Sequence, residues 1–169
     1  MVSGCNAAIV NEMQITILDN KHISIEHKRE LKAQIKVIFE SLGLAQKTQL
    51  CVTFVDDNTM RALNKTYRGI DRTTDVLSFP QDITGSSRTV NAAIAKAKKQ
   101  LILGDIIISI DTARRHTKIY GNSIELEIKK LIIHGTLHLL EYDHKKKKDA
   151  AIMRKKEEEL LTLVNSVQG

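Results

Sequence analysis

Three histidines stand close together near the C-terminal end of the chain, in the run His134-Gly135-Thr136-Leu137-His138-Leu139-Leu140-Glu141-Tyr142-Asp143-His144. The first two are four residues apart in an apolar, helix-like stretch. On an α-helix, residues i and i+4 share a face about 6 Å apart along the axis, so His134 and His138 can aim both imidazoles at one ion. His144 cannot join them by continuing the helix, because six more residues carry it to another face and about 9 Å further along. The chain must therefore end the helix after Leu140 and fold back. Three neutral imidazoles would then hold one divalent cation, zinc (Zn2+) first among the candidates, with the fourth tetrahedral position open to water. Imidazole ligands also suit nickel, copper and iron.

The spacing excludes a chemistry as well. Metalloproteases of the HExxH type place a glutamate directly after the first histidine as general base, and here that position is Gly135. Three neutral ligands leave the metal's charge uncompensated, which strengthens it as a Lewis acid and as an anchor for an anionic substrate. Phosphate esters suit such a site better than peptides do. Such an ion can supply hydroxide near neutral pH, or polarise a phosphoryl oxygen while a hydroxyl of the substrate itself attacks. A lone histidine on an apolar helix is usually a buried, hydrogen-bonded residue; the third histidine and the Tyr142-Asp143 turn set this run apart.

The run resembles the HGxLHLxGYDH signature of the YbeY family of bacterial metallo-endoribonucleases. Leu63-Asn64-Lys65-Thr66-Tyr67-Arg68 resembles that family's LNxxYR, Thr74-Asp75-Val76-Leu77-Ser78-Phe79-Pro80 its TDVLSFP, and Gly104-Asp105-Ile106 its GDI strand entry. These blocks fall in the family's order, between about residues 56 and 144. The resemblance implies a single-strand-specific, zinc-dependent endoribonuclease of ribosomal RNA precursors. It further implies a role in 16S rRNA 3′-end maturation and ribosome quality control, with the small ribosomal subunit and its assembly factors as partners. His134, His138 and His144 become the implied ligands. Arg68 becomes the catalytic guanidinium, able to offer two parallel hydrogen bonds to the charge that builds on phosphoryl oxygens. Thr74, Asp75 and Ser78 are implied to line the cleft, although Ser78 can equally point away along a strand. One position departs from the pattern: Glu141 replaces a glycine. A left-handed turn there costs a residue with a Cβ about 1 to 2 kcal/mol, so either Glu141 bears that strain or the turn is built differently.

Two other functions compete with the nuclease. A metal-dependent hydrolase of another substrate, even a peptide, needs a base from elsewhere, such as Asp75 or Glu141. A non-catalytic ribosome-assembly factor with a structural metal needs a fourth protein ligand. Neither cysteine lies near the histidines in sequence, which favours an open site, although Cys51 could approach in space.

Bulk properties agree with a polyanionic partner. The 169 residues suit one domain, 1–169, and the net charge of +6 with a pI near 9.3 favours attraction to nucleic acid. Cys5 and Cys51 form no CxxC and fit a reducing cytoplasm. The first twenty residues lack a signal-peptide pattern, and no apolar run approaches a membrane span. A cytoplasmic protein without membrane association is expected. Six aromatic residues and no tryptophan argue against an extended base-stacking platform.

The elements that must hold the histidines alternate between strand and helix. Residues 13–18 and 49–55 read as strands, and 26–42 as a helix ending at Gly43. Asp57 or Asn58 caps a helix to about Tyr67. Residues 76–79 form a short strand halted by Pro80, and 106–110 a strand buried on both faces. A helix over 111–120 stops at Gly121. Asn122 with Glu125 resembles a capping box for a long helix from about Ser123 to Leu140. A last helix, 149–164, carries Ile152, Leu160, Leu161 and Val164 on one side. The sum is an α/β (α+β) domain: a mixed four-stranded sheet with about five or six helices and the metal site at the end of the long central helix. Residues 81–100 are long for a plain connection; their Lys96, Lys98 and Lys99, like Lys145 to Lys148 after the third histidine, can touch a phosphate backbone or form a solvated face. Asp143 is a turn former or an acceptor for a histidine proton, and Tyr142 packs the turn or core.

Overall fold

A computed structural model of the chain describes residues 13–19, 22–44, 47–81, 101–144 and 146–166. Among these the elements run β1 (Gln14–Leu18), α1 (Ile25–Ser41), β2 (Thr48–Val55), α2 (Asp57–Arg68), β3 (Val76–Pro80), β4 (Leu101–Ser109), α3 (Ile110–Tyr120), α4 (Ile124–Leu139) and α5 (Lys147–Ser166). The sheet order is β1-β2-β4-β3, with β1, β2 and β4 parallel and β3 antiparallel to β4. The mixed four-stranded α+β architecture expected from the sequence is therefore present. One apolar cluster runs from Ile15 on β1 to Val164 on α5, with Phe39, Val52, Ile106, Ile108 and Leu137 inaccessible to solvent at its centre. No helix of the described residues is long and apolar enough to cross a membrane.

Six local expectations need correction. The fourth strand starts at Leu101 rather than Ile106, and Ile110 already belongs to α3. Gly104, expected at the strand entry, sits inside it, next to the register shift where Gln49 pairs with Ile102 but Leu50 with Gly104. Its φ is 133°, and a Cβ there would stand 2.1 Å from Phe79 O, so β3 could not pair so closely with any other residue. Pro80 ends β3 without being excluded from it, because β3 is the edge strand among the described residues and an N–H at that position is not needed for pairing with β4. The cap of α2 is Asp56, whose side chain accepts from Thr59 N–H at 2.7 Å; Asp57 is the first helical residue. The cap of α4 is Ser123, accepting from Leu126 N–H, while Asn122 donates to Glu127 Oε1. On α5 the inward stripe is Met153, Leu160 and Val164, and Ile152 is 51% exposed. Residues 82–100 and Lys145 lie outside the described residues.

Candidate metal centre

α4 is the most deeply packed helix, and Gly135 explains how it sits so close to the sheet. A Cβ at Gly135 would lie 3.0 Å from Ile106 Cγ2 and 3.1 Å from Ser78 Oγ. The missing side chain lets Ser78 donate its hydroxyl to Gly135 O at 3.2 Å, which fastens β3 to the helix beside His134. Ser78 thus points to the helix and is buried at 8% exposure, whereas the alternative direction along the strand is not taken.

The helix ends as the histidine spacing requires. Glu141 N–H donates to His138 O and Tyr142 N–H to Leu137 O, both at 3.0 Å, the paired bonds of a Schellman close. Glu141 takes φ 65°, the single positive φ outside glycine among the described residues. The strained alternative is therefore the one adopted. Tyr142 packs against the core, Asp143 Oδ1 accepts from His144 N–H at 2.7 Å, and the chain returns His144 to the other two histidines.

The ligand nitrogens of His134, His138 and His144 all lie within 4.8 Å of one another. His138 Nδ1–H donates to Tyr142 O at 3.0 Å, and His134 Nδ1 meets Glu157 Oε1 at 2.7 Å. A carbonyl and a carboxylate can only accept, so both Nδ1 atoms carry the hydrogen and the neutral rings present bare Nε2 lone pairs. Those two Nε2 atoms face each other at 3.0 Å. When both rings are neutral their Nε2 lone pairs converge on one point, and zinc–nitrogen bonds of about 2.0 to 2.1 Å fit the separation. His138 is held below its ordinary pKa, first by burial and then by repulsion from His134, which favours the neutral, metal-binding form. The donor set therefore fits a divalent ion of the zinc type. Cys51 is not one of the clustered ligands; its thiol lies 3.9 Å from Thr53 Oγ1 on β2.

Arg68 ends α2, where Gly69 takes the left-handed cap, and reaches across to β3 with Nη2 at 3.5 Å from Ser78 O. Ser78 thereby joins Arg68 through its carbonyl to Gly135 through its hydroxyl, bringing the guanidinium to the strand that supports the metal helix. Asp75 accepts from Val76 N–H at 2.8 Å and from Thr74 Oγ1 at 3.2 Å. With Lys130, His134, Arg154 and Glu157 it lines a cavity of about 320 Å³. Lys146 to Lys148 are exposed.

Two features are not evident from the sequence. Glu157 lies in the run Arg154-Lys155-Lys156-Glu157-Glu158-Glu159, which looks like a solvated face. The signal that could find it is helical phase: Glu157 falls four residues after buried Met153 and three before buried Leu160, on the inward stripe. The second is a polar cluster around Asp57, where β2 and β4 end. Its Oδ1 accepts from Ser109 Oγ at 2.6 Å, Thr112 Oγ1 at 2.9 Å and Thr73 Oγ1 at 3.2 Å, and Arg115 pairs with Oδ2. The Arg115 hydrogen bond, helped by the hydroxyls of Ser109 and Thr112, holds the carboxyl far below the usual range.

The fold has a solved counterpart. A solution structure of a Thermotoga maritima protein superposes with a TM-score of 0.59, 24% identity and 89% coverage of both chains. Residues 14–165 match the family profile described as "Endoribonuclease YbeY". Proteins of that name from Desulforamulus reducens, Moorella thermoacetica and Aquifex aeolicus are 40%, 43% and 41% identical. They cover 92%, 70% and 70% of this chain, and the matches span 95%, 74% and 71% of theirs. The profile spans every element from β1 to α5, and with it the three histidines, Arg68 and the Ser78 joint; the chain belongs to the endoribonuclease YbeY family.

Proposed function

We propose that this protein is a zinc-dependent endoribonuclease that cuts single-stranded RNA, with precursor ribosomal RNA as its substrate. The observation that carries the reading is the convergence of three imidazoles, with ligand nitrogens within 4.8 Å of one another and the Nε2 atoms of His134 and His138 at 3.0 Å. His134, His138 and His144 are the proposed ligands, and Arg68 the proposed catalytic guanidinium. A divalent ion bound there supplies Lewis acidity and lowers the pKa of water toward about 7.

The chain's own groups do the rest. Tyr142 O and Glu157 keep the two helix-borne imidazoles in the tautomer that presents Nε2. Arg68 holds Ser78 O only at 3.5 Å, and among the described residues no acidic partner locks its guanidinium. It can turn two parallel N–H groups onto the non-bridging phosphate oxygens, where charge grows in the transition state. The net charge of +6 supports binding of the flanking phosphates. Family membership supports an RNA substrate, and we extend the reading to 16S rRNA 3′-end maturation and quality control in the cytoplasm, on the small ribosomal subunit and with its assembly factors.

The test is incubation of the zinc-loaded protein and its His138→Ala variant with single-stranded RNA spanning the 3′ end of the small-subunit rRNA precursor. Cleavage by the parent alone is expected, and end-group analysis then separates hydroxide attack from attack by the 2′-hydroxyl. Equal cleavage by both, or none by the zinc-loaded parent, overturns the reading.

A further inference from the structure

We propose that Glu157 is a positioning residue of the metal centre, and that through it α5 is fastened to the ion; this rests on the metal-centre reading above. Glu157 Oε1 lies 2.7 Å from His134 Nδ1, with the side chains 29% and 32% exposed. Its neighbours Glu158 and Glu159 are exposed, while Met153, Leu160 and Val164 on its own stripe are buried. A carboxylate on an apolar helix face loses hydration and needs a strong partner in return. Here that partner is the Nδ1–H of a histidine whose other nitrogen faces the metal position.

The consequence for the ion is twofold. Accepting Nδ1–H locks His134 with its Nε2 lone pair toward His138, so the ligand is set before the metal arrives. The carboxylate also raises the basicity of the ring and supplies a negative charge near an ion whose three ligands are neutral. His138 is served differently, by the uncharged Tyr142 carbonyl. Glu157 thus brings a negative charge directly onto the ring of a helix-borne ligand, whereas the Asp143 carboxylate accepts from the His144 backbone.

The consequence for the fold is a coupling. α5 begins at Lys147, just after His144, and Glu157 lies in its middle. Metal binding therefore grips the helix at its leading end through His144 and at its centre through His134 and Glu157. By linkage, whatever holds the ion tightens the docking of α5, and a docked α5 tightens the hold on the ion by the same factor.

Zinc affinity, measured by competition with a chromophoric chelator, and amide hydrogen exchange along α5 with and without zinc test this in the full chain. Glu157→Ala should bind zinc about 10- to 100-fold more weakly. Glu157→Gln, which keeps an acceptor oxygen but no charge, should fall between Ala and the parent. Both metal-free variants should melt with the metal-free parent, and zinc should slow exchange in α5 of the parent far more than in Glu157→Ala. Parental zinc affinity in both variants, with α5 protected as in the parent, overturns the role of Glu157 alone, provided His138→Ala loses zinc. A parent that binds no zinc overturns this proposal and the metal centre together.

Discussion

Two polar clusters flank the sheet, and they are finished in opposite ways. Around Asp57 every strong group has a partner inside the chain: three hydroxyls and a guanidinium converge on one carboxylate. Around His134 and His138 the Nδ1 nitrogens are engaged by a carboxylate and a carbonyl, while the Nε2 nitrogens turn to each other and toward His144. Polar side chains turned toward one another rather than toward a partner of opposite charge are kept where they serve a ligand or a reaction. The first cluster joins α2, α3, β4 and the residues before β3; the second is shaped for a cation. Burial and polarity alone do not separate structure from function here. The convergence of like ligand atoms does.

The contrast can be broken experimentally, most forcefully at the open cluster. His138→Ala should cut RNA cleavage by about a thousandfold or more, some 4 kcal/mol of barrier, and abolish stoichiometric metal while the protein stays folded. Metal analysis beside a gel-based cleavage assay reads both. Arg68→Glu should cost about 10²- to 10³-fold in cleavage with metal content unchanged, since its proposed role is contact with the substrate and it is not among the clustered ligands. Loss of metal in that variant would place Arg68 among the supports of the site.

At the closed cluster the effect should be on stability instead. Asp57→Asn should lower unfolding free energy by about 2 kcal/mol in urea titrations, leaving cleavage by the folded protein as it was. The sign of the pH dependence follows from the depressed carboxyl. Its stabilisation is complete above the unfolded-chain value of 3.8 and is lost as pH falls through the lower native value. The parent's urea midpoint should therefore drop below pH ~4 more steeply than that of Asp57→Asn. A variant that lost cleavage along with stability would erase the distinction between the two clusters. The smallest effect belongs to Glu141→Gly, which should relieve the left-handed backbone and raise stability by about 1 kcal/mol, or about 2 to 4 °C in melting temperature.

Much of the metal centre is legible in the sequence, because helix geometry converts the spacing of His134 and His138 into a shared face and forces a reversal ahead of His144. The reversal's strained residue is legible too, since a glycine position filled by glutamate leaves few conformations. Choices made by distant contacts are not. Asp56 and Asp57 are equally good caps in isolation, and only Ser109, Thr112 and Arg115, more than fifty residues away, draw Asp57 inward. β4 reads as short because Gly104 interrupts its apolar run, although the interruption is what lets β3 approach. Glu157 hides among like charges, where the phase of α5 outweighs the bland composition of the run.

Among the described residues β3 is unpaired on its outer edge, which has a consequence for the protein as a solute. An open edge strand is a template on which a second chain can add its own strand, and the apolar stretch Val76-Leu77-Ser78-Phe79 would be a ready one. Two of its positions are already denied: Pro80 has no N–H to donate, and the carbonyl of Ser78 is held by Arg68. The guanidinium that we assign to the phosphate also stands guard on that edge, so variants at Arg68 should be watched for aggregation as closely as for lost cleavage.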